Sequence, residues 1–318
     1  VTQLKHGYNH QPLFAVIGSN RQEMRQIMVS LEISTAFLDA LQQLVQQARH
    51  ALPAVPQPVD FSEQAWLWEN KQLIAVSQLA NIQLDDLIGI DRQKQQVEQN
   101  TLQFLHGFSA NHVLLTGARG TGKSSLVRAL LNRYAAEGLR VIEVNRDDLV
   151  DLPRIAQLIR NRPEKFIIYC DDLSFGAEDH SYRALKSSLD GSLQSETGQF
   201  LIYATSNRRH LLPEFMHEND HAATVREIHP QEAIEEKVSL SDRFGLWLSF
   251  YSMDQQTYLD IVADGLGKAD LSLTELARAE AIRWAGNRGQ RSGRSAAQFV
   301  RHWVGLQQLQ NTVKADSI

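Results

Sequence analysis

The chain is predicted to fold as an α/β protein, a five-stranded parallel sheet flanked by helices, with a mostly helical N-terminal extension and a helical C-terminal unit. Short apolar runs at 112–116, 140–144, 166–170, 199–204 and 246–250 read as strands buried on both faces. Between and after them lie segments with apolar residues at three- and four-residue spacing, the alternation that builds a parallel sheet with crossover helices. With 318 residues, 43% of them hydrophobic, the chain can fill a sizeable core and still has room for an accessory segment.

The extension comes first. Met24, Ile27, Met28, Leu31, Phe37, Leu38, Leu41, Leu44 and Val45 have the spacing of one or two amphipathic helices. Pro53, Pro56 and Pro58 then forbid helix and read as a linker. The stretch FSEQAWLWEN opens on a capping-type Ser62 and carries Trp66 and Trp68, which are expected to pack in a core or between domains. Residues 1–80 are therefore expected to form a mostly helical accessory domain, 81–253 the α/β domain and 254–318 a helical unit. From Leu84, an acidic start and a turn at Gly89 lead into a helix ending near Leu105, directly before the first strand.

That strand opens the most informative stretch, HVLLTGARGTGKSSLVRALL. Gly117, Ala118, Arg119, Gly120, Thr121, Gly122, Lys123 and Ser124 spell G-x-x-x-x-G-K-S between a strand and a helix, the context expected of a phosphate-binding loop, and Ser125 continues into the helix. The glycines allow a tight turn that brings backbone N–H groups against phosphate oxygens, and the helix start adds its positive dipole end. Lys123 would supply a point charge for the β and γ phosphates, and the Ser124 hydroxyl would ligate Mg²⁺.

The run FIIYCDD ends an apolar strand in two carboxylates. At the tip of a parallel strand, Asp171 would hold Mg²⁺ through water and Asp172 would polarise an attacking water. The next strand, in QFLIYATSN, ends in Thr205, Ser206 and Asn207, which would lie between those acids and the γ-phosphate. Arg243 precedes the last strand. The C-terminal segment AIRWAGNRGQRSGRSAAQFVR holds Arg283, Arg288, Arg291, Arg294 and Arg301 without an acid. Solvated helix ends, a nucleic-acid contact and an arginine reaching bound nucleotide are three readings of it.

A net charge of −5 and a pI near 6.1 argue against a surface coated in basic charge for nucleic acid. The single cysteine, Cys170, lies in an apolar run and reads as a buried, inert thiol. No apolar run approaches the roughly 18 residues of a membrane span, and residues 1–20 lack a leader pattern, so a soluble cytoplasmic protein with no membrane role is expected. His6 and His10, and His217 and His221, have i, i+4 spacing but no third ligand, and read as surface residues.

Taken together, the glycine loop, the DD strand, the ATSN strand, the Arg before the fifth strand and the helical C-terminus resemble an AAA+ ATPase from about Leu84 to Arg301. The strings LDDLIGIDRQ, GTGKSSLVRALL, FIIYCDDLSF, YATSNRRHL and SDRFGLWLSF resemble a bacterial family of uncharacterised AAA+ ATP-binding proteins. The resemblance implies ATP and Mg²⁺ as ligands, Ile88 and Gly89 beside the adenine, Asn207 orienting the attacking water, and Arg294 on a C-terminal lid contacting nucleotide. It also implies that Arg243 is an arginine finger completing a neighbour's site in a homo-oligomeric ring.

The chain departs from that pattern twice. Asp172 stands where most such proteins have Glu, which shortens the catalytic carboxylate by a methylene and implies slow turnover. Between the second and third strands, NRDDLVDLPRIAQLIRNRPEK contains no aromatic–hydrophobic–Gly pore loop, and Phe175 in the following loop is a poor substitute. The function expected is Mg²⁺-dependent ATP hydrolysis that drives movement on a protein partner. The alternatives are a nucleic-acid loader or initiator, which is not favoured, and an ATP-gated scaffold with little turnover.

Overall fold

The computed structural model describes residues 59–175, 180–189, 199–207 and 240–315, together with Phe37 and Ala40. The chain divides into the units Val1–Val59 and Asp60–Ile318, and the architecture below is that of the second. The two histidine pairs and the linker prolines lie outside the described residues.

The described strands are β1 (Ala65–Glu69), β2 (Gln72–Ala75), β3 (Val113–Gly117), β4 (Leu139–Val144), β5 (Lys165–Cys170), β6 (Phe200–Ser206) and β7 (Leu246–Phe250). They form one seven-stranded sheet in the order β2-β1-β4-β5-β6-β3-β7. All pairs are parallel except the β1–β2 hairpin. The five expected strands are present and adjacent, so the expected strand count is corrected from five to seven.

The two added strands come from a stretch expected to be mostly helical. Ser62 caps no helix; its N–H donates to Asp60 Oδ1 at 2.9 Å. The chain then extends and reverses at Asn70 and Lys71, whose φ angles of 50° and 61° are those of a tight two-residue hairpin loop. Trp66 and Trp68 are fully buried, and Trp66 meets Phe61 and Phe166 with ring centroids 5.3 and 6.3 Å apart. Their packing role is as expected.

Alternation along the strands sorts side chains to two faces, which is why the central runs are apolar throughout. Ile167 and Tyr169 of β5 share one core with Val97 and Phe104 of α1 (Asp91–Leu105) and with Leu126 and Leu130 of α2 (Lys123–Tyr134). Phe166, Ile168 and Cys170 share the other with Ile155 and Ile159 of α3 (Leu152–Ile159) and with Tyr182 and Leu185 of α4 (His180–Leu189).

A third core joins α5 (Gln255–Gly267), α6 (Glu275–Asn287) and α7 (Gly293–Ala315). Ala277, Ala281 and Ala285 put small side chains on one stripe of α6, packed in a cluster with Tyr258, Leu259 and Phe299. Asp254 and Thr274 cap α5 and α6, accepting the N–H groups of Thr257 at 2.7 Å and Ala277 at 3.2 Å. No described helix is long and apolar enough to cross a membrane.

Candidate functional site

At the end of β3 the chain turns through Gly117, Gly120 and Gly122 into α2, with φ of 133°, 74° and 100°. Only glycine fits at two of these. A Cβ on Gly117 would stand 1.9 Å from the Phe250 carbonyl oxygen, and one on Gly120 would stand 2.8 Å from Ser292 Cβ. The loop borders a cavity of about 880 Å³ between the strand tips and the C-terminal helices. Arg119 to Ser125 form one wall, Ile88 and Ile90 another, and Asp171, Asp172, Thr205 and Asn207 the floor. Six basic side chains, Arg119, Lys123, Arg128, Lys268, Arg294 and Arg301, line it against three acids, Asp86, Asp171 and Asp172, an imbalance that suits a polyanion.

Lys123 is buried, and its ammonium donates to the carbonyls of Gly117 at 2.6 Å and Ala118 at 2.8 Å and to Asn207 Oδ1 at 3.1 Å. Burial pushes its pKa down, against the opposing pull of Asp171 and Asp172. The Asn207 amide nitrogen in turn donates to Asp172 Oδ1 at 2.6 Å. One side chain thus spans from the loop lysine to the second acid.

Asp171 stands opposite Thr205 because β5 and β6 pair Cys170 with Ala204, one residue earlier. Thr205 Oγ1 donates to Asp171 Oδ1 at 2.5 Å and accepts the Asp172 N–H at 2.9 Å. Ser124 Oγ donates to the same Asp171 oxygen at 2.8 Å. Burial alone would raise the Asp171 pKa, but the hydrogen bonds from Thr205 and Ser124, with the Tyr169 hydroxyl nearby, outweigh it and hold the carboxyl below the usual range. Asp172 has a left-handed φ of 54°, and its Oδ2 lies 3.4 Å from the Arg119 guanidinium.

This donor set fits the ligands that the sequence implies. Ser124 and Asp171 place a hydroxyl and a carboxylate side by side, hard oxygens suited to Mg²⁺, which keeps most of its waters. Among the described residues no cluster of three or more His, Cys, Asp or Glu could hold a metal by itself. The glycine loop, with Lys123 at its centre, has the open backbone that a phosphate chain needs.

Most of the candidate residues converge here. Ile88, Ser125, Asn207 and Arg294 all line the cavity. Gly89, with φ of 78°, packs where a Cβ would come within 2.4 Å of Thr257 Cγ2. Arg243 does not converge: it sits just before β7, half-buried, outside the lining of its own chain's cavity. The five arginines of the C-terminal segment disperse, Arg294 and Arg301 into the cavity, Arg283 onto Glu280 at 2.7 Å and Arg288 over the Trp284 ring at 3.7 Å. Arg291 lies 3.4 Å from Gln255.

Arg128, Asp86 and Lys268 were given no role from sequence, and Thr205 and Arg301 were named there without a specific contact. Thr205 follows from the register of neighbouring strand tips, and Arg128 from its position four residues beyond Ser124 on the same face of α2. The ion pair Lys268–Asp86, at 2.5 Å, joins residues 182 apart and had no local signal. Arg301 lines the cavity two turns along α7 from Arg294. Elsewhere, Cys170 is buried with its thiol pushed up to about 12 by burial, and Phe175 is buried edge-on against Tyr182 at 5.7 Å.

The mostly parallel sheet and the glycine loop define an α/β protein with a P-loop NTPase-like fold. The chain belongs to the family described as "Protein of unknown function (DUF815)", which matches residues 61–307. Comparison with curated proteins finds no match. Among solved structures the chain is similar to the Thermotoga maritima RuvB Holliday junction branch migration motor, at 19% identity over 69% of this chain and 63% of that one, with a TM-score of 0.46. It is also similar to the Aeropyrum pernix ORC1 protein in complex with DNA, at 15% identity over 70% and 61% of the two chains, with a TM-score of 0.46. A third is a DNA replication initiation factor, at 16% identity over 75% and 69%, with a TM-score of 0.45. The matched part spans 63% of the RuvB chain, just under two thirds of its length.

Proposed function

We propose that the protein binds ATP with Mg²⁺ in the cavity beside the glycine loop and hydrolyses it. The observation that carries this reading is the unbroken line of contacts Lys123–Asn207–Asp172 along the cavity floor, at 3.1 and 2.6 Å. It joins a phosphate-type cation to a carboxylate through one amide. Lys123 and the loop N–H groups hold the phosphates, and Ser124 and Asp171 hold Mg²⁺, which neutralises phosphate charge when bound. Asp172 orients the attacking water and takes its proton, and Asn207 fixes the direction in which that carboxylate faces. Ile88 and Gly89 are assigned to the adenine, supported by Ile88 in the cavity wall.

In this reading the C-terminal helices are a lid. Lys268 ties them to Asp86 on one rim, and the Gly293 N–H ties them to the Gly120 carbonyl at 2.8 Å on the other. Arg294 and Arg301 reach the cavity from the lid, so loss of the γ-phosphate loosens its hold on the phosphate loop. Arg243, placed outside its own cavity, is assigned to the site of a neighbouring subunit in a homo-oligomeric ring. The motion is proposed to act on a protein partner.

Two variants test the assignment with a fluorescent ATP analogue and a phosphate-release assay. Lys123→Ala should lose nucleotide affinity, by about tenfold or more. Asp172→Asn should bind like the wild type and hydrolyse about 10²-fold more slowly. Retained binding in the first variant, or normal turnover in the second, would overturn the reading.

A further inference from the structure

We infer a second anion site, beyond the nucleotide cavity, where the start of α7 meets the outer side of the glycine loop. A separate cavity of about 160 Å³ lies there, and its walls include Arg119, Arg288, Arg294, Ser292, Ser295 and Gln298, with no acid among the lining residues. Arg119 already lies 3.4 Å from Asp172 and all three guanidiniums are exposed, so water screens their repulsion, but an anion between them would be attracted by each.

Each wall offers donors. Arg288 lies flat on Trp284, 3.7 Å from the ring centroid, and a stacked guanidinium keeps its in-plane N–H groups for acceptors at its edge. Arg294 has no carboxylate partner among the described residues. Ser292 precedes the first turn of α7, where the helix dipole favours negative charge. An independent observation concerns Ser295. It is 5% exposed and lines this cavity, yet its hydroxyl has no hydrogen-bond partner in the protein. The neighbouring Tyr258 hydroxyl donates to the Ala281 carbonyl at 3.1 Å, and Ser295 meets it only outside normal hydrogen-bond geometry. A buried hydroxyl left unpaired is costly, and an anion oxygen would satisfy it.

Size selects the ligand. At about 160 Å³ the cavity has room for one tetrahedral oxyanion. The occupant is orthophosphate. The place has a consequence for the fold, because Arg119 and Gly120 also accept hydrogen bonds from Gln290 at 2.7 Å and Gly293 at 2.8 Å. A phosphate here strengthens the junction between the glycine loop and the C-terminal helices.

The test titrates orthophosphate into the full chain by calorimetry, first alone and then with a non-hydrolysable ATP analogue at saturation. With the analogue bound, one phosphate per chain should bind here, and without it the empty glycine loop can take a second. Arg288→Gln, and separately Gln298→Glu, should weaken binding here by about tenfold or more with analogue affinity unchanged. Loss of phosphate binding when the analogue is present would place the ion in the nucleotide cavity and overturn the inference. So would wild-type phosphate affinity in either variant, or no binding at up to about 10 mM phosphate. If the chain binds no analogue, the nucleotide reading fails on its own, while the two variants still decide the phosphate site.

Discussion

His112 shows how one side chain couples the site's scaffold to pH. Its Nδ1 accepts the Ile202 N–H at 2.9 Å, stitching the start of β3 to β6. An accepting ring nitrogen carries no proton, and burial pushes the pKa down to about 4. The unfolded chain, with a pKa near 6.5, takes up that proton first as pH falls. The contribution is therefore complete above about pH 6.5 and is lost on the way down to about 4, on the order of 3 kcal/mol in all. Thermal unfolding between pH 7 and 4 should show this slope, and His112→Gln should flatten it; parallel slopes would contradict the assignment.

Asp172 gives the departure from Glu a physical reason. At a φ of 54° the backbone is left-handed, a region that Asp enters far more readily than Glu. Asp172→Glu is thus expected to lower stability by about 1 kcal/mol, measured by urea unfolding, rather than simply restore a longer catalytic arm. At this scale the sequence revealed whatever was contiguous. Lys123, Ser124, Asp171 and Asp172 stand in two short strings whose spacing is itself the chemistry. Thr205 could be placed near the acids from its strand tip, but its bonds to Asp171 and Asp172 depend on which strand lies beside β5, and Asp86 and Lys268 meet only through the fold.

Among the elements, the five central strands and the helices around them follow from apolar runs and periodic spacing. The β1–β2 hairpin did not, and the cause is local. Its turn uses Asn70 and Lys71 at positive φ without a glycine to announce it, and Ser62 mimics a helix cap. What holds the hairpin is tertiary: β1 pairs with β4, and Trp66 packs against Phe61 and Phe166. Trp66→Ala should therefore cost about 3–5 kcal/mol by urea denaturation while leaving nucleotide affinity near the wild-type value. A cost below about 1 kcal/mol would mean that the hairpin merely decorates the sheet edge.

For the molecule as a whole, the cavity is built between two bodies of structure, the parallel sheet with its glycine loop and the C-terminal helices. They touch at Lys268–Asp86 and again at Gly293–Gly120, on either side of the space assigned to nucleotide. Nucleotide bound there would contact both, which is the physical basis for a hydrolysis-driven movement. Arg243 stands apart from this arrangement, and the proposed place in a neighbour's site would tie turnover to assembly.

The most direct measurement is the Mg²⁺-dependent ATPase rate per protomer over a wide range of protein concentration, for the wild type and for Arg243→Ala. The account predicts a slow wild-type rate that climbs with concentration and saturates, and an Arg243→Ala protein that binds ATP normally but turns over about 10³-fold more slowly. Tight ATP binding with no turnover at any concentration would contradict it, and would make the protein an ATP-gated scaffold instead.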